Sequence, residues 1–143
     1  MKATIPYLFF PGTTAEAFTF YQQALGGRLT LTRYRDSPMA SRAQGPDADA
    51  VFHAELHLTA SLAIMASDSC GDNRAQLKQG NTLTICLDAE SEAEAQRTFS
   101  ALSAGGAVTM PMQKTPWAAA FGTCRDRFGV EWMINYSVPG APH

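Results

Sequence analysis

The run Phe52-His53-Ala54-Glu55-Leu56-His57-Leu58 carries the grouping of titratable side chains best placed for chemistry in this chain. Read as a strand, it puts Phe52, Ala54, Leu56 and Leu58 on one face and His53, Glu55 and His57 on the other. Same-face neighbours lie roughly 7 Å apart along a strand, so adjacent side chains can converge on one proton or one ion. Three readings stay open. The face can simply meet water, which suits His57 near the strand end. His53 and Glu55 can act as a ligand-binding or acid–base pair, with imidazole as base and carboxylate as its orienting partner. Two imidazoles around a carboxylate can also take a divalent metal of the zinc, iron or manganese type.

The elements that must position these residues are written twice. Ala15-Glu16-Ala17 recurs 78 positions later as Ala93-Glu94-Ala95, and each copy opens a helix that closes on a double glycine, Gly26-Gly27 and Gly105-Gly106. Thr13-x-x-Glu16 and Ser91-x-x-Glu94 both read as capping boxes. Phe18, Tyr21 and Leu25 share one face of the first helix, and Ala95, Phe99 and Leu102 one face of the second, so each helix packs on a sheet. A short apolar run precedes each helix, Tyr7-Leu8-Phe9-Phe10 and Leu83-Thr84-Ile85-Cys86-Leu87, and three strand-like stretches follow it. The pattern predicts an α+β fold of two βαβββ modules, about 1–68 and 80–137, in one domain of 143 residues. An open module of this kind buries one face and leaves the other free to enclose a ligand.

Composition narrows the partners. A charged fraction of 17% with a net charge of −2 and scattered Lys and Arg disfavours nucleic acid. Apolar runs far shorter than about 20 residues disfavour a membrane span, and Met1-Lys2-Ala3-Thr4 lacks a signal-peptide core. The expectation is a soluble, cytoplasmic protein. Cys70, Cys86 and Cys124 form no C-x-x-C pair, which points to reduced thiols rather than a disulfide framework or a zinc ribbon.

Alternation also suggests a ligand surface elsewhere. Thr82, Thr84 and Cys86 oppose Leu83, Ile85 and Leu87, while Glu131, Met133 and Asn135 oppose the core candidates Trp132 and Ile134. Trp117 and Phe121 can add an aromatic wall, although Phe121 also suits the core. Thr84, Trp117, Phe121 and Met133 are therefore candidate ligand-binding residues. Residues 37–49, small and polar with two prolines, predict a long loop, either a lid or an excursion. Asp126-Arg127-Phe128-Gly129 predicts a tight hairpin.

Tyr7-Leu8-Phe9-Phe10, Ala15-Glu16-Ala17 with Phe20-Tyr21, the two double glycines, His53-Ala54-Glu55-Leu56, Trp117, Phe121-Gly122 and Asp126 through Trp132 together resemble the PhnB-like proteins. That group, also labelled 3-demethylubiquinone 3-methyltransferase-like, sits in the vicinal oxygen chelate superfamily with glyoxalase I, extradiol dioxygenases and bleomycin-resistance proteins. The resemblance implies paired modules forming an incomplete barrel around a cleft, and a homodimer. It also implies four metal-ligand positions, which fall here on Pro6, Thr82, Ile64 or Met65, and Met133. None of these suits a hard divalent ion, so glyoxalase-type metal chemistry lacks its ligands.

Two functions follow from different classes. One is a metal-free protein that holds a small, partly apolar molecule, with His53 and Glu55 fixing its polar end and no cofactor required. The other is an enzyme of isomerase, lyase or oxygenase type in which His53 and Glu55 are the catalytic acid and base, or ligands of a divalent metal held on a single strand.

Overall fold

In the computed structural model, which describes residues 1–137 together with Pro139 and Gly140, the chain divides into two compact units, residues 1–78 and 79–143. The first contains β1 (Tyr7–Phe10), α1 (Thr14–Leu25), β2 (Arg28–Arg33), β3 (Val51–His57), β4 (Ala63–Asp68) and a short α2 (Asp72–Gln76). Its sheet runs β1-β4-β3-β2, with β1 parallel to β4 and the other pairs antiparallel. The second contains β5 (Ile85–Asp88), α3 (Glu92–Ser103), β6 (Ala107–Gln113), β7 (Ala118–Arg125) and β8 (Glu131–Ser137), and its sheet repeats the order as β5-β8-β7-β6. The βαβββ unit is thus built twice, each time as an open four-stranded sheet with one helix on one face, and the fold class is α+β.

Hydrophobic patterning explains each helix. Ala17, Phe18 and Tyr21 of α1 are fully buried with Phe20 nearly so, and they meet Phe10, Ala54, Leu56 and Ala66 from the sheet face beneath. Phe10 and Phe18 rings meet edge to face at 6.4 Å, and Phe18 and Tyr21 at 5.6 Å. In the second unit Ala95, Phe99 and Leu102 of α3 cover Ala120, Cys124, Trp132 and Ile134. Leu25, assigned to the buried stripe of the first helix, is half-buried at its end.

The two helix starts differ. Ser91 caps α3 as the sequence predicts: its hydroxyl accepts from the Glu94 N–H at 3.1 Å, and the Glu94 carboxylate accepts from the Glu90 N–H at 2.8 Å. Thr13 makes no side-chain cap, so the predicted first capping box does not form. The buried Asp68 at the end of β4 takes its place, accepting from the Thr14 N–H at 3.0 Å and from the Val51 N–H at 2.8 Å. One carboxylate thereby joins a helix N-terminus, where negative charge is favoured, to the first residue of β3.

Three local expectations are corrected. Phe52 is half-buried rather than in the core, because the β2–β3 register slips by one residue between Thr32 and Arg33 and Val51 takes the buried place. Leu83 is 69% exposed, and Thr82 and Thr84 lie ahead of a strand that begins only at Ile85, where pairing with Trp132 of β8 starts. Residues 37–49 are not an unstructured excursion. Short 3-10 helices at Ala40–Arg42 and Gly45–Asp49, after one at Tyr34–Asp36, order the stretch, and Asp47 pins it by pairing with Arg74 and accepting from the Gly71 N–H.

Two glycines mark the same point of each module. A Cβ on Gly27 would collide with the His57 carbonyl oxygen, and one on Gly106 with the Arg125 carbonyl oxygen, so only glycine lets the chain leave each helix past the end of β3 or β7. The Asp126 hairpin also forms as predicted. Its buried carboxylate accepts from the Phe128 and Val130 N–H groups and, at 2.8 Å, from the indole of the fully buried Trp132.

Candidate functional site

The face of the first sheet away from α1 carries Tyr7 and Phe9 from β1, Met65 from β4, and His53, Glu55 and His57 from β3. Register fixes who stands beside whom: Tyr7 and Glu55 both pair with Met65, on its two sides. A row Tyr7–Met65–Glu55–Thr30 therefore crosses the whole sheet on the open face.

Glu55 sits between the two imidazoles. Its Oε1 lies 2.9 Å from His53 Nε2 and its Oε2 lies 2.8 Å from His57 Nε2. These hydrogen bonds, from His57 first and His53 second, hold the Glu55 carboxyl below the usual glutamate range against a smaller opposing effect of burial. On its other side His53 Nδ1 lies 3.0 Å from the Tyr7 hydroxyl, and the two rings stack with centroids 5.7 Å apart. The result is one continuous line, Tyr7–His53–Glu55–His57. In the sequence Tyr7 stands only as part of an apolar run, and its residue type alone does not mark it for the site. Alternation against the buried Phe10 was the available signal, since it sends Tyr7 and Phe9 to the opposite face.

Each Nε2 faces a carboxylate oxygen, so the donors meet one another rather than a common point. Among the described residues no group of three or more His, Cys, Asp and Glu is placed to hold an ion. Of the metal positions implied by resemblance, Pro6 and Thr82 lie outside strands, Ile64 is in the core, and Met65 and Met133 occupy open faces as thioethers that suit no hard cation.

The second sheet places the other candidates as follows. Trp117, 50% exposed just before β7, meets Phe121 edge to face at 5.5 Å. Phe121 pairs with Asn135, and Thr123 with Met133, so Phe121 and Met133 share the face opposite Trp132 and Ile134. Phe121 is nonetheless buried. Thr84 is exposed ahead of β5 and no strand pairing brings it to that face. The cysteines offer no activated nucleophile: burial pushes the thiols of Cys70 and Cys86 up, and that of Cys124 to about 11.

Residues 2–135 match the model of the family described as 3-demethylubiquinone-9 3-methyltransferase. The chain belongs to that family. Protein YjdN of Escherichia coli K12 is 34% identical over 140 residues, covering 91% of this chain and 92% of YjdN. The crystal structure of PA1353 from Pseudomonas aeruginosa is 40% identical, with a TM-score of 0.82 over 94% of this chain and 97% of that one. The PhnB protein from Bacillus cereus is 25% identical, with a TM-score of 0.74 over 94% and 98%. The fold alone extends to a glyoxalase/bleomycin resistance protein/dioxygenase family structure from Burkholderia phytofirmans, 15% identical with a TM-score of 0.62 over 94% and 97%. The chain is thus PhnB-like, as its motifs imply, and it shares the fold of glyoxalase/bleomycin resistance proteins. No helix among the described residues is long and apolar enough to cross a membrane.

Proposed function

We propose that this PhnB-like protein binds a small, partly apolar metabolite on the open face of its first sheet, without the superfamily's metal, and that Glu55 and its two histidines fix the ligand's polar end. The observation that carries this reading is the closed set of bonds between Glu55 and both imidazoles, set beside the exposed rings of Tyr7 and Phe9. Few, pre-oriented polar groups next to apolar surface are what a small-molecule site needs. Trp117, Phe121 and Met133 offer apolar contact of their own in the second unit, with Thr84 as the outlying candidate. The same reading has the protein cytoplasmic and homodimeric, using one of the edge strands β1, β2, β5 or β6; light scattering that returns a monomer near 15.4 kDa removes the dimer.

The test is calorimetric titration with 1-naphthol, an apolar bicycle with one hydroxyl. Saturable binding that weakens about tenfold in His53→Ala, a loss of one charge-assisted or neutral hydrogen bond, is the expected result. No binding, or equal binding by both proteins, overturns it. Elemental analysis of untagged protein purified without chelator checks the metal-free part: stoichiometric zinc, nickel, iron or manganese lost in His53→Ala would give the site a different chemistry.

A further inference from the structure

Proton positions along the line from Tyr7 to His57 follow from its chemistry. An ionised carboxylate can only accept, so both imidazoles present N–H to Glu55 from Nε2. Neutral His53 with its hydrogen on Nε2 has a bare Nδ1, and the Tyr7 hydroxyl donates to it. The lone pairs of the Tyr7 oxygen are then left for an incoming donor. Tyr7 is 41% exposed, and Phe9, whose ring lies 5.2 Å from that of Tyr7, is 53% exposed. An acceptor oxygen backed by a base therefore stands beside a pair of exposed aromatic side chains, their rings tilted 43° to each other.

Resting on the binding reading above, we propose that Tyr7 is the group that takes a proton from the ligand, and that the ligand is a planar aromatic hydroxyl compound of the phenol class. In the step, the ligand O–H bond breaks and its proton bonds to the Tyr7 oxygen, while the Tyr7 proton moves to His53 Nδ1. A neutral ligand and a neutral imidazole become a phenolate and an imidazolium, with no change of oxidation state and no co-reactant. The Glu55 carboxylate, 2.9 Å from His53 Nε2, stabilises that imidazolium, and His57 holds the carboxylate from its other oxygen. Of the other groups set around the line, those nearest His53 and Glu55 are neutral, with Thr32 across from His53 and Thr30 and Met65 flanking Glu55; the cation among them, exposed Arg28, stands across from His57 at the far end of the line, where solvent screens its repulsion of the imidazolium.

The ligand class follows from acidity and shape. A carboxylic acid arrives already ionised and has no proton to give at neutral pH, whereas an aliphatic alcohol holds its proton too tightly for an imidazole to take. A phenol lies between the two, and its ring can make apolar contact with the exposed side chains of Tyr7 and Phe9, whose rings are tilted 43° to each other.

The probe is 4-nitrophenol, whose phenolate is yellow and whose neutral form is not. Equilibrium dialysis measures its binding and the visible band measures its ionisation, at a pH below the free dye's own pKa. Wild-type protein is expected to bind the dye with its phenolate-to-phenol ratio raised about tenfold, which corresponds to one pKa unit. Tyr7→Phe, which keeps both rings, and His53→Gln, which removes the base behind Tyr7, are expected to bind the dye about tenfold more weakly and, on the dye still bound at saturating protein, to show no raised phenolate-to-phenol ratio. Dye bound but still neutral on the wild type, or a band that survives in Tyr7→Phe, overturns the proton transfer and leaves the binding reading standing. Failure of the wild type to bind either 4-nitrophenol or 1-naphthol overturns both.

Discussion

The two open faces occupy the same frame and carry different chemistry. Tyr7 pairs with Met65, and Cys86 with Met133; Glu55 then faces Met65 where Thr123 faces Met133. Extending the register sets His53 against Phe121 and His57 against Arg125, a match reinforced by Gly27 and Gly106, which crowd the carbonyls of His57 and Arg125. A line of Tyr, His, Glu and His in one module is thus Cys, Phe, Thr and Arg in the other, and Arg125 there pairs with Glu131 of its own sheet. Under the helices, by contrast, both modules keep apolar cores. Packing constrains the buried face of a duplicated sheet, while the open face is free to diverge, and the divergent polar line is the difference on which the proposed binding role rests.

The same contrast holds at the helix starts, and mutation can break it. Asp68→Ala removes two charge-assisted hydrogen bonds at once and strands two backbone N–H groups, on Thr14 and Val51. The expected loss is about 3 kcal/mol in urea unfolding. Ser91→Ala, which removes a local cap in the second unit, should cost about 1 kcal/mol. Thr13→Ala should change stability by no more than a few tenths of a kcal/mol, because no cap is lost. Equal losses for Thr13→Ala and Ser91→Ala would mean that both boxes close in solution and that Asp68 is not the first helix's partner.

These helix starts also show what the sequence discloses. The recurrence of Ala-Glu-Ala and of the double glycines discloses the duplication, and periods of 3.6 and 2 disclose both buried helix faces and the shared face of His53, Glu55 and His57, because each is written in the residue pattern itself. Contacts between distant segments were hidden. Asp68 reaches Thr14 across 54 positions, and Tyr7 reaches His53 across 46. The second contact depends on β4 lying between β1 and β3 and on the register of both pairings, neither of which alternation specifies. Phe52 was misplaced by a one-residue slip, and Leu83 because a strand starts where its partner does rather than where apolar residues begin.

A smaller effect separates the two open faces by pH. Hydrogen bonds from His57 and His53 place the Glu55 carboxyl below its ordinary value of 4.5, while Thr123 at the matching position has nothing to titrate. A carboxyl whose pKa is lower in the folded than in the unfolded chain binds fewer protons when folded, so stability rises with pH across the gap. Its contribution is fully present above about pH 4.5 and disappears as pH falls through the depressed folded value. Because the Glu55 side chain is 32% exposed, solvent screening limits that contribution to about 1 kcal/mol or less. Glu55→Gln should therefore be less stable than wild type from pH 5 to 7, and the two unfolding curves should converge below pH 4. Thr123→Val, at the equivalent site, should run parallel to wild type at every pH. A constant offset for Glu55→Gln, persisting into acid, would mean that Glu55 acts through packing alone, and that the bonds joining it to the histidines do not hold its charge.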